Sequence, residues 1–153
     1  MQVISSKDNE FVKHVKKLKE KKYRDINQEF IIEGIKLINE AINENANIKQ
    51  IVICEDCTKI DVIPKELMYE IAKYECVYVT KKIFDTLTDV VNPQGILAII
   101  EKDINNNEID YKSDIIVALD DIQDPGNLGT ILRTVDSVRI KPNFSVKRHS
   151  RCI

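Results

Sequence analysis

The chain has 153 residues, 43% of them hydrophobic and 31% charged, which suffices for one well-packed domain or a small domain with a second piece. No apolar run reaches the length of a membrane span, and the opening MQVISSKDNEFVK has no apolar signal stretch, so a cytoplasmic, non-membrane protein is expected. The net charge of −2 speaks against a uniformly basic nucleic-acid binder but hides a segregation: residues 1–24 carry +5, residues 25–137 carry −12 and residues 138–153 carry +5.

In chain order, Ser5-Ser6-Lys7-Asp8 fits a capping box. Phe11, Val15 and Leu18 then repeat at i, i+4, i+7 and predict a first helix to about Tyr23. Lys13, Lys16, Lys17 and Lys21 fall mostly off that stripe, which puts basic charge on the exposed side. Such a face suits phosphates, and a merely solvated lysine-rich helix gives the same pattern. Glu29–Glu33 reads as a strand, Gly34 as a turn, and Ile35, Ile38, Ala41 and Ile42 as the inner stripe of a second helix. Ile48–Cys54 is a second strand. Pro64 opens a helix with Leu67, Met68, Ile71 and Ala72 inward. Cys76–Val79 is a strand, Lys81–Leu87 a short helix, Asn92-Pro93-Gln94-Gly95 a turn and Ile96–Ile100 a strand. This alternation predicts a three-layer α/β/α domain over residues 1–100.

Residues 101–113, EKDINNNEIDYKS, are polar and aperiodic and read as a linker. Asp114–Leu119 is a continuous apolar run, as in a strand covered on both faces. Of the four cysteines, Cys54 and Cys57 have C-x-x-C spacing, but no second ligand pair accompanies them, and the only histidines are His14 and His149. No metal is assigned. Cys54 and Cys76 read as small apolar residues at strand ends.

Asp124-Pro125-Gly126-Asn127-Leu128-Gly129 follows that strand, where ligands of open α/β sheets bind. Pro125 and Gly126 shape the turn and Asn127 suits a helix cap. Leu128, Ile131, Leu132 and Val135 form the core-facing stripe of the next helix. Arg133 points roughly 150° from the centre of that stripe, at ~100° per residue. Gly129, one turn earlier, leaves space beside the guanidinium. A capped helix start and a surface arginine account for the same residues.

The run Asp120–Thr134 resembles the first motif of the SpoU/TrmH family, S-adenosylmethionine-dependent RNA ribose 2′-O-methyltransferases of the SPOUT superfamily. Ile4-Ser5-Ser6, Asn9, Val12-Lys13, Lys22-Tyr23-Arg24, Phe30–Gly34 and Asn92–Ala98 resemble that family's N-terminal substrate-binding domain. The resemblance implies that residues 114–137 begin a trefoil-knot α/β catalytic domain, with Asn127 and Arg133 at functional positions and S-adenosylmethionine as methyl donor. An arginine stays protonated near pH 7, so Arg133 would hold a phosphate and stabilise developing alkoxide charge rather than act as a base. The resemblance also implies RNA, ribosomal or transfer, as partner. Lys13, Lys16, Lys17, Lys21, Lys22 and Arg24 are candidates for phosphate contacts, and Tyr23 for stacking or simple packing. For the intact family the resemblance implies a homodimer, with the state of this chain left open.

Beyond Ser137 the resemblance stops. Arg139 stands where the family has a glycine, and residues 138–153 form a basic tail without acids or clear periodicity. The chain is therefore expected to be truncated within the catalytic domain, by a shifted frame or otherwise, with the cofactor-binding residues unknown and methyl transfer by this chain alone doubtful. A natural basic arm is the other reading of the tail. An RNA-binding module without catalysis is the alternative function. A different nucleotide-binding α/β protein is a third reading, disfavoured by the incomplete Gly-rich fingerprint.

Overall fold

The computed structural model describes residues 3–57, 63–102, 116–119, 122, 124–137 and 143–146. The chain divides into two compact units, Met1–Asp103 and Ile104–Ile153.

The first unit contains β1 (Val3–Ile4), α1 (Glu10–Lys17), α2 (Lys21–Asn27), β2 (Glu29–Glu33), α3 (Ile35–Asn43), β3 (Ile48–Cys54), α4 (Lys65–Ile71), β4 (Cys76–Val79), α5 (Lys81–Leu87) and β5 (Ile96–Glu101). The strands form one sheet in the order β1-β4-β3-β5-β2. β1, β4 and β3 pair in parallel, whereas β5 runs antiparallel to both β3 and β2, with Glu33 opposite Leu97 and Val52 also opposite Leu97. β5 is apolar from Ile96 to Ile100 because it is covered on both faces.

The period of two along β5 sorts the core. Leu97 and Ile99 pack with Val12, Val15 and Leu18 of the α1 region and Ile83, Phe84 and Leu87 of α5. Ile96, Ala98 and Ile100 pack with Ile38 and Ile42 of α3 and Leu67 and Ile71 of α4. Helices thus cover both faces, the three layers expected from the alternation of elements.

Several local expectations change. The first helix does not run to Tyr23. It ends at Lys17, and α2 starts afresh at Lys21 after an extended Glu20. The Arg24 guanidinium accounts for the break: its Nη1 donates to the carbonyls of Leu18 at 3.2 Å and Lys19 at 2.7 Å, satisfying acceptors that the end of a helix leaves free. The N-cap of α1 is Asn9, whose Oδ1 accepts from Phe11 N at 2.9 Å, while Ser6 Oγ accepts from Asp8 N. Val3–Ile4, unassigned in the sequence, add an edge strand to β4. The strand expected to stop at Ile100 continues to Glu101.

Cys54 is not simply an apolar strand end. It is bonded to Cys57 in a disulfide that closes the turn after β3, with Cα atoms 5.2 Å apart. The Glu55–Cys57 turn brings Cys57 back onto the core between the sheet and α1 and α5.

The second unit contains β6 (Ile116–Leu119), α6 (Pro125–Ser137) and β7 (Asn143–Val146). β6 and β7 pair in parallel, Ile116 opposite Asn143 and Leu119 opposite Val146. Two parallel strands joined through a helix make a βαβ unit, since parallel neighbours need a crossover. The basic tail, read as aperiodic, therefore contributes a strand. Residues 138–142 and 147–153, Asp114 and Ile115, and linker residues 103–113 lie outside the described residues. Among the described residues no helix is long and apolar enough to cross a membrane.

Candidate functional site

The break between α1 and α2 arranges the basic residues. Had one helix continued, Lys22 would fall on the apolar stripe of Phe11, Val15 and Leu18, three turns after Phe11 at ~100° per residue. Instead α2 starts afresh at Lys21, and Tyr23 on α2 has a lysine of each helix over its ring: Lys17 Nζ of α1 lies 5.6 Å and Lys22 Nζ of α2 5.8 Å from its centroid. Each ammonium over the ring contributes roughly 0.5–1 kcal/mol where exposed, and together they frame a half-buried aromatic with positive charge. Lys13 pairs with Glu10 at 2.9 Å. Lys16 and Lys21 make no ion pair with another described residue. Arg24, one of the six expected phosphate contacts, has Nη1 committed to the α1–α2 junction.

The sequence reading missed Glu29. It is the one buried charged residue among the described ones, 3% exposed at the head of an apolar strand. His14 Nε2 lies 2.6 Å from its Oε2, and Lys49 donates to its Oε1. Burial disfavours the charged carboxylate, but the hydrogen bonds from Lys49 and His14 outweigh it and hold the carboxyl below its ordinary value. His14 belongs to α1, so this contact ties the lysine-bearing helix to the sheet. A glutamate opening an otherwise apolar run was the available signal.

In the second unit α6 begins at Pro125, two residues before Asn127. The cap is therefore Asp124, whose Oδ1 accepts from Asn127 N at 2.7 Å, and not Asn127 as the sequence suggested. Pro125 takes the first helical position, where its missing N–H costs nothing. Asn127 and Arg133 are both exposed. Six residues apart, they stand ~9 Å apart along the axis and about 120° apart around it, so α6 alone does not bring them to one face. A Cβ added at Gly129 would lie 3.9 Å from Arg133 Nη2, an ordinary contact, so the space there is open without requiring glycine. Leu128 is buried, whereas Leu132, expected inward, is 37% exposed. Among the described residues no three His, Cys, Asp or Glu side chains converge as metal ligands.

Residues 9–98, within the five-stranded unit, match the model of the MRM3-like substrate binding domain. The chain belongs to this family. It is 34% identical over 137 residues to the 23S rRNA (guanosine(2553)-2′-O)-methyltransferase RlmP of Bacillus subtilis, an alignment covering 90% of this chain and 51% of that one. An S-adenosylmethionine-bound rRNA methyltransferase from Sinorhizobium meliloti superposes with a TM-score of 0.73 at 28% identity, over 96% of this chain and 56% of that one. The SpoU methyltransferase AviRb from Streptomyces viridochromogenes shares the fold, with a TM-score of 0.72 at 18% identity over 94% of this chain and 54% of that one. The chain thus spans about half the length of these relatives. The SpoU/TrmH resemblance read from the motifs is borne out, and the MRM3-like domain coincides with the layers that carry α1, α2 and the sheet.

Proposed function

We propose that this chain acts on RNA as part of an S-adenosylmethionine-dependent rRNA ribose 2′-O-methyltransferase, its MRM3-like unit holding the RNA and α6 supplying Asn127 and Arg133. The observation that carries this reading is the lysine face of α1 and α2, framing Tyr23, in a domain whose family is a substrate-binding one. Lys13, Lys16, Lys17, Lys21 and Lys22 hold phosphates without reading sequence, and Arg24 positions the two helices that present them.

Bound S-adenosylmethionine would supply the electrophilic methyl group. Asn127 and Arg133 stand exposed on α6, and the few described residues of the second unit do not by themselves enclose a seat for it. What the chain's own residues do is narrower. Arg133, with five donors and no acceptor, grips a phosphate and stabilises negative charge developing on a ribose oxygen. Asn127 offers an amide to orient the backbone beside it.

The test is binding of a ribosomal RNA hairpin across a salt series, together with methyl transfer to it from S-adenosylmethionine. Log affinity that falls linearly with log salt, with Arg133→Ala weakening binding at unchanged thermal stability, is the expected result. Absence of binding at low salt defeats the reading. Binding without transfer favours the alternative, an RNA-binding module.

A further inference from the structure

A cleft of about 460 Å³ opens between the start of α3 and the start of α4, lined by Ile35, Lys36, Asn39, Pro64, Glu66, Leu67 and Gln94. It lies where β2 ends and β5 is about to begin, since Gly34 directly follows Glu33, and Gln94 precedes Ile96 by two residues. α3 and α4 cover the face of the sheet opposite α1 and α5, so the cleft belongs to a different layer from the lysine-bearing α1.

The cleft is built rather than incidental. Gly34 has φ +101°, and a Cβ there would stand 3.1 Å from Gln94 Oε1. The glycine thus admits the Gln94 side chain, whose Oε1 accepts from Ile35 N at 2.8 Å and caps α3. With the amide oxygen fixed, the amide nitrogen is fixed too, and its two donors have no partner among the described residues. Asn39, Lys36 and Glu66 likewise have no side-chain partner among the described residues, so donors, acceptors and one ammonium line a cleft whose walls are Ile35, Pro64 and Leu67.

Fixed amides between apolar walls match the edge and face of a nucleobase, and single bases are read in RNA when they leave the stack. The volume is at the lower end of small-ligand sites, about 300–1,000 Å³, which suits one nucleoside and not a helix. We propose that this cleft takes an unpaired nucleobase of the RNA, with the Gln94 amide donating to a base acceptor and Lys36 near its phosphate. The inference rests on the RNA-binding reading above and adds a second contact on the other layer of the domain.

The experiment compares, by fluorescence anisotropy, binding of this chain to a hairpin RNA with one extruded nucleotide and to the same hairpin fully paired. Wild type is expected to prefer the extruded form by about tenfold, the discrimination of a good base contact. Gln94→Glu keeps an acceptor for Ile35 N but removes both amide donors. Asn39→Ala, at an exposed position on α3, leaves the cap untouched. Each should abolish the preference while changing affinity for the paired hairpin by less than about twofold, because phosphate contacts carry that affinity. Equal binding of the two hairpins by wild type, or a preference that survives in either variant, overturns the cleft and leaves the lysine face standing. Failure to bind either hairpin at low salt overturns both.

Discussion

His14 Nε2 and Glu29 Oε2 are 2.6 Å apart, joining α1 to the edge strand β2 through a carboxylate that is 3% exposed. Lys49 holds the other carboxylate oxygen. Glu29→Gln keeps the shape but removes the charge both partners face. It is expected to cost about 1–2 kcal/mol, because the hydrogen bonds lost are charge-assisted while His14 and Lys49 can still reach water. Urea unfolding measures this. The carboxyl is held below its ordinary value of 4.5, so its contribution is complete above that pH and drains away as pH falls through the lowered folded value. Wild type should therefore lose stability on acidification below 4.5 more steeply than the variant. Parallel curves for the two proteins would show that Glu29 gains nothing from its partners.

Charge reversal on α1 tests the lysine face. Lys16 is half-buried and Lys17 is exposed, and neither is paired with an acidic residue among those described. Lys16→Glu with Lys17→Glu should weaken RNA binding by roughly 10- to 100-fold at low salt and flatten the slope of log affinity against log salt by about 1–2. Thermal stability should change little, since surface substitutions usually stay within about 0.5 kcal/mol each. An unchanged slope would place the RNA elsewhere on the molecule.

Tyr23→Phe separates the ring from its hydroxyl. Lys17 and Lys22 both face the ring, so the substitution should leave RNA affinity within about twofold. Tyr23→Ala should lower it by about 5- to 150-fold if a base stacks there, from the roughly 1–3 kcal/mol a stacked base contributes. A loss no larger than that of Tyr23→Phe would assign the ring to packing alone.

The Cys54–Cys57 link closes a turn of three residues' separation, so its effect on the unfolded chain is small. Loop-closure entropy gives about 2 kcal/mol for so short a ring. Dithiothreitol should lower the melting temperature of wild type and leave that of Cys57→Ser unchanged. Equal melting temperatures with and without reductant would mean that the turn holds by its other contacts, which include Cys54 N to Gly95 O at 2.8 Å and Glu55 N to Val79 O at 3.0 Å.

How far the sequence carries the fold depends on the range of the interaction. The three layers were legible because each depends on apolar period alone: Ile38 and Ile42 on one helix, Leu67 and Ile71 on another, and the unbroken Ile96–Ile100 between. The resemblance of Asp120–Thr134 to a family motif was legible as a string of residues, since the run is contiguous. The break after Lys17 was not, because Arg24 causes it from a later helix. The buried Glu29 depends on His14 and Lys49, fifteen residues before it and twenty after. Asn127 looked like a cap by residue type, and only the hydrogen bond from its N–H to Asp124 moved the cap three positions upstream. The cleft was invisible for the same reason: Gly34 and Gln94 are far apart in the chain and were read only as two turns.

Gly34→Ala is expected to destabilise the first unit through the backbone as well as the side chain. At φ +101° and ψ 152° the backbone occupies a region open essentially to glycine, which costs any other residue about 1–3 kcal/mol. The added methyl also meets Gln94 Oε1 at 3.1 Å, and Gln94 can move away only by giving up its bond to Ile35 N. An uncapped helix start costs about 1 kcal/mol more. Gln94→Ala removes the cap without backbone strain, so it should be destabilised by the cap term alone. Pairing the two substitutions relieves the clash, so in urea the double variant should differ from Gln94→Ala by the strain alone, and the cap term, counted in both single variants, should appear as the interaction energy between the positions. A double variant as stable as Gln94→Ala would mean that the turn relaxes freely at Gly34. In that case its positive φ places no constraint on the cleft.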